Sequence, residues 1–286
     1  GINEIHNFGK YEVTGPDAEI WLNRIMANRM PREGRIALTP MLSPKGRLIG
    51  DFTVAKLGPE RFQLTASYAA QAYHMRWFEA QLPETGVDLR NVSTARIGFQ
   101  IAGPRARELL QRVTRADVSN QATPFLSVRE IEVGLVPAIV NRITYTGDLG
   151  YEIYVPAKHQ VALYETLTEA GRDLGLKPFG MRAMMSLRLE KSFGSWLREY
   201  KPDYTPAETG LDRFVSFKKN DFIGRDALVA WQQRGFANHF VTLEVDGITD
   251  ADPIGNEPLW QGGRMVGRAT AGAYGHVVGK SLALAY

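Results

Sequence analysis

The chain has 286 residues, 44% hydrophobic and 23% charged, a balance that can bury a core and excludes a mainly disordered polypeptide. The formal charge is only +3 with both signs spread along the length, so no polybasic arm marks a nucleic-acid footprint, and no apolar run is long enough for a membrane span. There is no cysteine, which excludes disulfides, thiolate zinc sites, iron–sulfur ligation and a cysteine nucleophile in this chain.

The length suggests about two domains. The opening GINEIHNFGKYEV reads as neither a signal nor a transit peptide, and with the closing SLALAY it reads as an end cut inside structure. Cytoplasmic residence is the expectation, or the mitochondrial matrix if the source is eukaryotic. An internal repeat follows at once. YEVTGPDAEIWLNRI from Tyr11 aligns without a gap on FQIAGPRARELLQRV from Phe99. Gly15, Pro16, Ala18, Leu22 and Arg24 recur as Gly103, Pro104, Ala106, Leu110 and Arg112. Each copy is a short β-type run, a Gly-Pro break and an amphipathic helix. After the first helix, β-type runs at 48–56 and 61–66 precede a helical stretch at 68–82. After the second, runs at 135–144 and 151–155 precede a helical stretch at 157–174. Each half therefore reads β-α-β-β-α, and the fold class is α+β: duplicated split β-α-β units around a central cleft.

The pattern then changes. A helix is expected at 178–195, a proline-containing loop at Pro202 and Pro206, and a short helix at 221–233. From Phe236 on, alternation and turn signals predict a partial β-barrel. The expected division is 1–235, holding both repeats (about 1–90 and 91–175) and a connector, and 236–286.

Several constellations fail on inspection. The five histidines form no HxH or HExxH pair, and there is neither GxGxxG nor GxSxG. GHVVGKS at 275–281 is one residue short of a phosphate loop and leads into a strand, so it reads as a β-turn. The helical aromatics Tyr73, Trp77 and Phe78 read as core. Two carboxylates stand out instead. Asp51 lies in RLIGDFTV and Glu152 in YTGDLGYEI, each inside an apolar strand, where a carboxylate costs free energy unless it is paired or used. A solvent-facing strand residue would give the same pattern. Their placement in equivalent hairpins of the two repeats lets one cleft see both.

YTGDLGYE at 145–152, LRLE at 187–190, DFIGRDAL at 221–228 and MLSPKG at 41–46 together resemble the glycine-cleavage T-protein, or aminomethyltransferase, family over nearly the whole chain. FGKYEVTGPDAE and AYGHVVGKSLALAY are similar to the folate-binding C-terminal half of dimethylglycine and sarcosine dehydrogenases and oxidases. The resemblance implies a tetrahydrofolate site in the cleft. By it, Glu152 binds the pterin ring, Tyr145 lines the pocket, and Asp51 lies near the reacting nitrogens as a base or electrostatic partner. Arg188 contacts folate or supports its site. Met41 matches a pocket methionine, although a core methionine reads equally well there.

The implied reaction captures a methylene group from an oxidised N-methyl amine, its iminium or formaldehyde, as 5,10-methylenetetrahydrofolate. FAD would then sit on a flavoprotein segment or subunit outside this chain. A tetrahydrofolate-dependent demethylase and a non-catalytic folate-binding module are the alternatives. The iron–sulfur maintenance branch carries a Lys-Gly-Cys motif, and this chain has no cysteine. Two departures adjoin the cleft and bear on the one-carbon donor: Glu4-Ile5-His6 replaces Asp-x-Ser, and Trp196-Leu197 replaces Tyr-Gly. By the resemblance the fold would begin before Gly1 and continue past Tyr286.

Overall fold

A computed structural model of the chain describes residues 1–247 and 251–286. Strands β1 (Ile2–Glu4) and β2 (Phe8–Thr14) lead into helix α1 (Ala18–Ile25). Strands β3 (Ile36–Leu42), β4 (Leu48–Gly58) and β5 (Arg61–Ser67), helix α2 (Gln71–Gln81) and strand β6 (Asp88–Asn91) complete the first repeat. The second runs β7 (Arg96–Ala102), α3 (Ala106–Arg112), β8 (Val128–Val133), β9 (Val136–Asn141), β10 (Gly150–Pro156) and α4 (Gln160–Ala170). The repeated glycines have the same backbone, Gly15 at φ 120° and Gly103 at φ 124°. A Cβ at Gly15 would come within 2.4 Å of the Gly86 carbonyl oxygen, so the strand-to-helix corner requires glycine there.

Both halves have more strands than their sequence suggested: β3 and β8 precede the expected pairs, and β6 follows α2 in the first half. Pro40 hides β3: it lacks a ladder donor and breaks the pattern, and it is tolerated because β3 is an edge strand. The two sheets have orders β3-β4-β5-β2-β6 and β8-β9-β10-β7-β1. They match position by position except at the last place. There the second sheet takes β1, with Ile2 opposite Ile101, where the first uses its own β6.

One face of each sheet buries against its helices. Tyr11, Val13, Leu22, Val54 and Phe78 form that core in the first repeat. Phe99, Ile101, Leu110, Ile153 and Leu163 form it in the second. The opposite faces meet each other, Ile36 and Ala55 packing with Val128, Ile139 and Tyr154. By strand alternation Asp51, Thr53 and Lys10 project from this inner face of the first sheet, and Asn3, Gln100, Asn141 and Glu152 from that of the second.

The connector holds helix α5 (Met181–Leu189), shorter than expected, and α6 (Arg225–Arg234), which starts after Gly224. Strands β11 (Val241–Glu244), β12 (Pro258–Gln261), β13 (Arg264–Gly275) and β14 (Lys280–Ala285) form a sheet of order β11-β14-β13-β12. The GHVVGKS segment is the β13–β14 turn, and its Val277 N–H donates to the Glu190 carboxylate at 2.8 Å. No helix among the described residues is long and apolar enough to cross a membrane.

Candidate functional site

Asp51 and Glu152 lie in equivalent hairpins, β4–β5 and β9–β10, but not at equivalent positions. Glu152 stands opposite Gln100 as Gln63 stands opposite Glu12, so its counterpart in the first repeat is Gln63. The inner faces of the two sheets bring both acids to the layer between the repeats.

Glu152 is 7% exposed. The Tyr154 hydroxyl donates to its Oε2 at 2.9 Å. Burial pushes its carboxyl up to about 7, against the opposing pull of Tyr154, the neighbouring Asn141 amide and the Lys10 charge. Lys10 is itself fully buried, and its ammonium donates to the Phe8 and His6 carbonyls at 2.7 and 3.1 Å. Desolvation lowers it to about 8, with the Glu152 charge working the other way. Asp51, on β4 opposite Pro40, is enclosed by protein but keeps part of its surface open. Burial raises its carboxyl to about 6.

Tyr145 and Tyr200 lie within reach of the Asp51 charge, and burial pushes both phenols well above their usual range, so both stay protonated donors. The Tyr145 hydroxyl donates to the Gly194 carbonyl at 2.7 Å, its ring stacks on Phe193, and its N–H donates to Gln100 Oε1 at 3.2 Å.

Arg188 and Met41 are both fully buried. Arg188 is wholly buried on α5, donating to Glu199 and to the Phe193 carbonyl at 2.8 Å each. Glu199 also accepts from the Ser195 N–H and the Thr270 hydroxyl, both at 2.8 Å. The pair fixes the 193–200 loop, which carries the Gly194 carbonyl under Tyr145 and presents the Tyr200 hydroxyl to the Gly194 N–H at 3.1 Å. Arg188 is thus linked to Tyr145 and Tyr200 through that loop. Met41 packs with no exposure into the helix-side core of the first repeat. Two surface hollows, of about 350 Å³ beside Trp77 and Arg225 and about 260 Å³ beside Lys56 and Glu130, include none of the sequence-derived site residues.

Lys10, Gln100, Asn141 and Tyr200 escaped the sequence reading. The signal for Gln100 was a polar residue between Phe99 and Ile101, on the face away from the helices. Among the described residues no cluster of histidine and carboxylate side chains could hold a metal ion.

Residues 1–219 match the GCVT N-terminal domain, and residues 238–286 match the glycine cleavage T-protein C-terminal barrel domain. These matches and the fold define an aminomethyltransferase-type enzyme module. The chain belongs to the glycine cleavage T-protein family. It is 31% identical over 287 residues to an aminomethyltransferase of Caldanaerobacter subterraneus subsp. tengcongensis, covering 100% of this chain and 76% of that protein. It is 36% identical over 288 residues to the mitochondrial dimethylglycine dehydrogenase of Homo sapiens, covering 100% of this chain and 33% of that protein. The chain thus spans about a third of the length of the dimethylglycine dehydrogenases it matches. In fold it superposes on the glycine cleavage system aminomethyltransferase T from Bartonella henselae with a TM-score of 0.90 at 23% identity, covering 100% of this chain and 77% of that one.

Proposed function

We propose that the layer between the repeats binds tetrahydrofolate, and that the chain transfers a one-carbon unit from an oxidised N-methyl amine to it, giving 5,10-methylenetetrahydrofolate. The observation that carries this reading is Glu152, a buried carboxylate on the inner face with acceptor capacity left after Tyr154. A carboxylate so placed takes two parallel N–H donors from one ring edge. Buried polar atoms around it without a partner, on Gln100 and Asn141, fit a polar planar ligand. Bound tetrahydrofolate supplies two nitrogens that take up the one-carbon unit.

Glu152 holds and orients the ring, and Ile36, Ala55 and Ile139 exclude water beside it. Asp51, raised to about 6, is largely ionised at neutral pH and stabilises positive charge at the reacting nitrogens; it also accepts a proton there. Tyr145 and Tyr200 keep their protons and line the same space. Arg188 positions the loop that carries Tyr200, and Met41 fills the core behind it. Residues 1–235 form the folate-binding unit and 236–286 a separate C-terminal unit. Oxidation of the amine falls to FAD on a segment or flavoprotein subunit outside this chain, a reading supported by the likeness to one third of a protein named a dehydrogenase.

Calorimetry with tetrahydrofolate tests the site. Glu152→Ala is expected to weaken binding at least tenfold, since a hydrogen bond to a charged group contributes roughly 1.5–3 kcal/mol. Asp51→Asn is expected to lose turnover far more than affinity, with 5,10-methylenetetrahydrofolate formation from tetrahydrofolate and formaldehyde as the assay. A wild-type protein indifferent to millimolar tetrahydrofolate ends the proposal, and 5-methyltetrahydrofolate as the product makes the chain a demethylase.

A further inference from the structure

Four polar side chains stand in one row across the second sheet. Asn3 pairs with Gln100, Gln100 with Glu152, and Glu152 with Asn141, on β1, β7, β10 and β9. Residues directly opposite in an antiparallel sheet share a face, with neighbouring strands about 4.8 Å apart. The row therefore sets an amide on each side of the Glu152 carboxylate.

Both amides are fully buried and incompletely bonded. Gln100 gives its Oε1 to the Tyr145 N–H, which fixes the amide's orientation and leaves Nε2 without a partner. Asn141 turns its amide to the Glu152 carboxylate, close enough to favour its ionised form, but neither Nδ2 nor Oδ1 makes a well-formed hydrogen bond. An orphaned buried amide donor is costly, and native proteins seldom keep two beside one carboxylate. The Asn3 Oδ1 next in the row is also free, yet Gln100 Nε2 does not bond to it.

The order across three strands is donor, two carboxylate acceptors, donor. A 2-amino-4-oxopyrimidine edge has the complementary order: ring carbonyl, ring N–H, exocyclic amine, ring nitrogen. We infer that Gln100 Nε2 and Asn141 Nδ2 flank Glu152 as specificity-determining donors, so that the site reads four positions of the ring edge and selects a 2-amino-4-oxo ring over a 2,4-diamino one. The inference rests on the folate reading above and assigns it two ring-reading residues that the sequence analysis did not name.

The test uses the whole chain, its Gln100→Leu and Asn141→Leu variants, and two probes: tetrahydrofolate and its 4-amino counterpart. Each variant should bind tetrahydrofolate about tenfold more weakly, the loss of one hydrogen bond per amide. Without ligand Asn141→Leu should melt at the same or a higher temperature, because an unsatisfied buried amide has been replaced by an apolar side chain of similar volume, whereas Gln100→Leu strands the Tyr145 N–H and should melt lower. Wild type should prefer the 4-oxo ring, and that preference should shrink in whichever variant faces position 4. Variants that bind tetrahydrofolate as wild type does overturn the inference and leave the folate reading standing. An Asn141→Leu variant with weakened binding and a lowered melting temperature makes that amide structural and overturns it as well. A wild type that binds neither probe overturns both readings.

Discussion

Glu152 carries the clearest pH signature among the side chains. Its carboxyl is near 4.5 in an unfolded chain and is raised to about 7 by burial in the native one. The native state therefore holds more protons than the unfolded state between those values, and stability falls as pH rises from about 4.5 to about 7. Asp51, raised to about 6, adds to the same fall over a narrower window. Glu152→Gln should flatten this slope and raise the melting temperature at pH 7.5, read by thermal melts at pH 5 and 7.5. A variant whose slope equals that of wild type would mean that Glu152 titrates normally. Tetrahydrofolate affinity of the wild type should rise with pH up to about 7 and level off above it, since the ring's N–H donors need the carboxylate. The two acids were visible in the sequence because charge inside an apolar strand is conspicuous. Gln100 and Asn141 were not, because an uncharged amide in a strand becomes informative only when the register shows what stands beside it. Met41 illustrates the reverse case: the motif was legible, but the face its side chain takes was not.

At the scale of elements, the LRLE block ties the repeats to the C-terminal sheet. Arg188 and Glu199 bury a charge pair within the connector, Thr270 of β13 donates to that pair, and Glu190 receives the β13–β14 turn. Breaking a buried pair strands the remaining charge, at a cost of about 3–5 kcal/mol. Arg188→Met should lower the melting temperature accordingly and loosen the 193–200 loop, with Tyr145 and Tyr200 following. The double variant Arg188→Met/Glu199→Leu should recover much of the loss, because no buried charge is left alone. A double variant as unstable as the single would show that the guanidinium's other bond, to the Phe193 carbonyl, dominates. The helices of the repeats were legible from apolar spacing, whereas β3 was not, because an edge strand tolerates Pro40. The end of α5 was equally hidden: Ser192 adopts φ 56° just beyond it, and nothing in its immediate sequence announces that reversal.

For the molecule as a whole, the duplication was legible from one constant spacing, and with it the existence of a layer between two similar sheets. The exchange at the sheet edge was not. Both repeats need a strand beside β2 or β7, and only the register shows that the second draws it from ahead of the first repeat. Removing residues 1–4 should therefore expose amides of β7 and β10 to hydrogen exchange while those of β2 and β5 stay protected. Equal loss in both sheets would contradict the assignment.

That borrowed strand has a consequence for synthesis and for fusion. β1 leaves the ribosome about a hundred residues before its partner β7, so the first sheet can close on its own β6 while the second waits for a strand already made. The repeats are interlocked, and a fragment carrying only the second would lack its edge. The Gly1 nitrogen donates to the Ala102 carbonyl at 2.6 Å, which ties the start of β1 to the second repeat. Any polypeptide joined ahead of it would hang beside Ala102, next to the repeat farther from it in sequence.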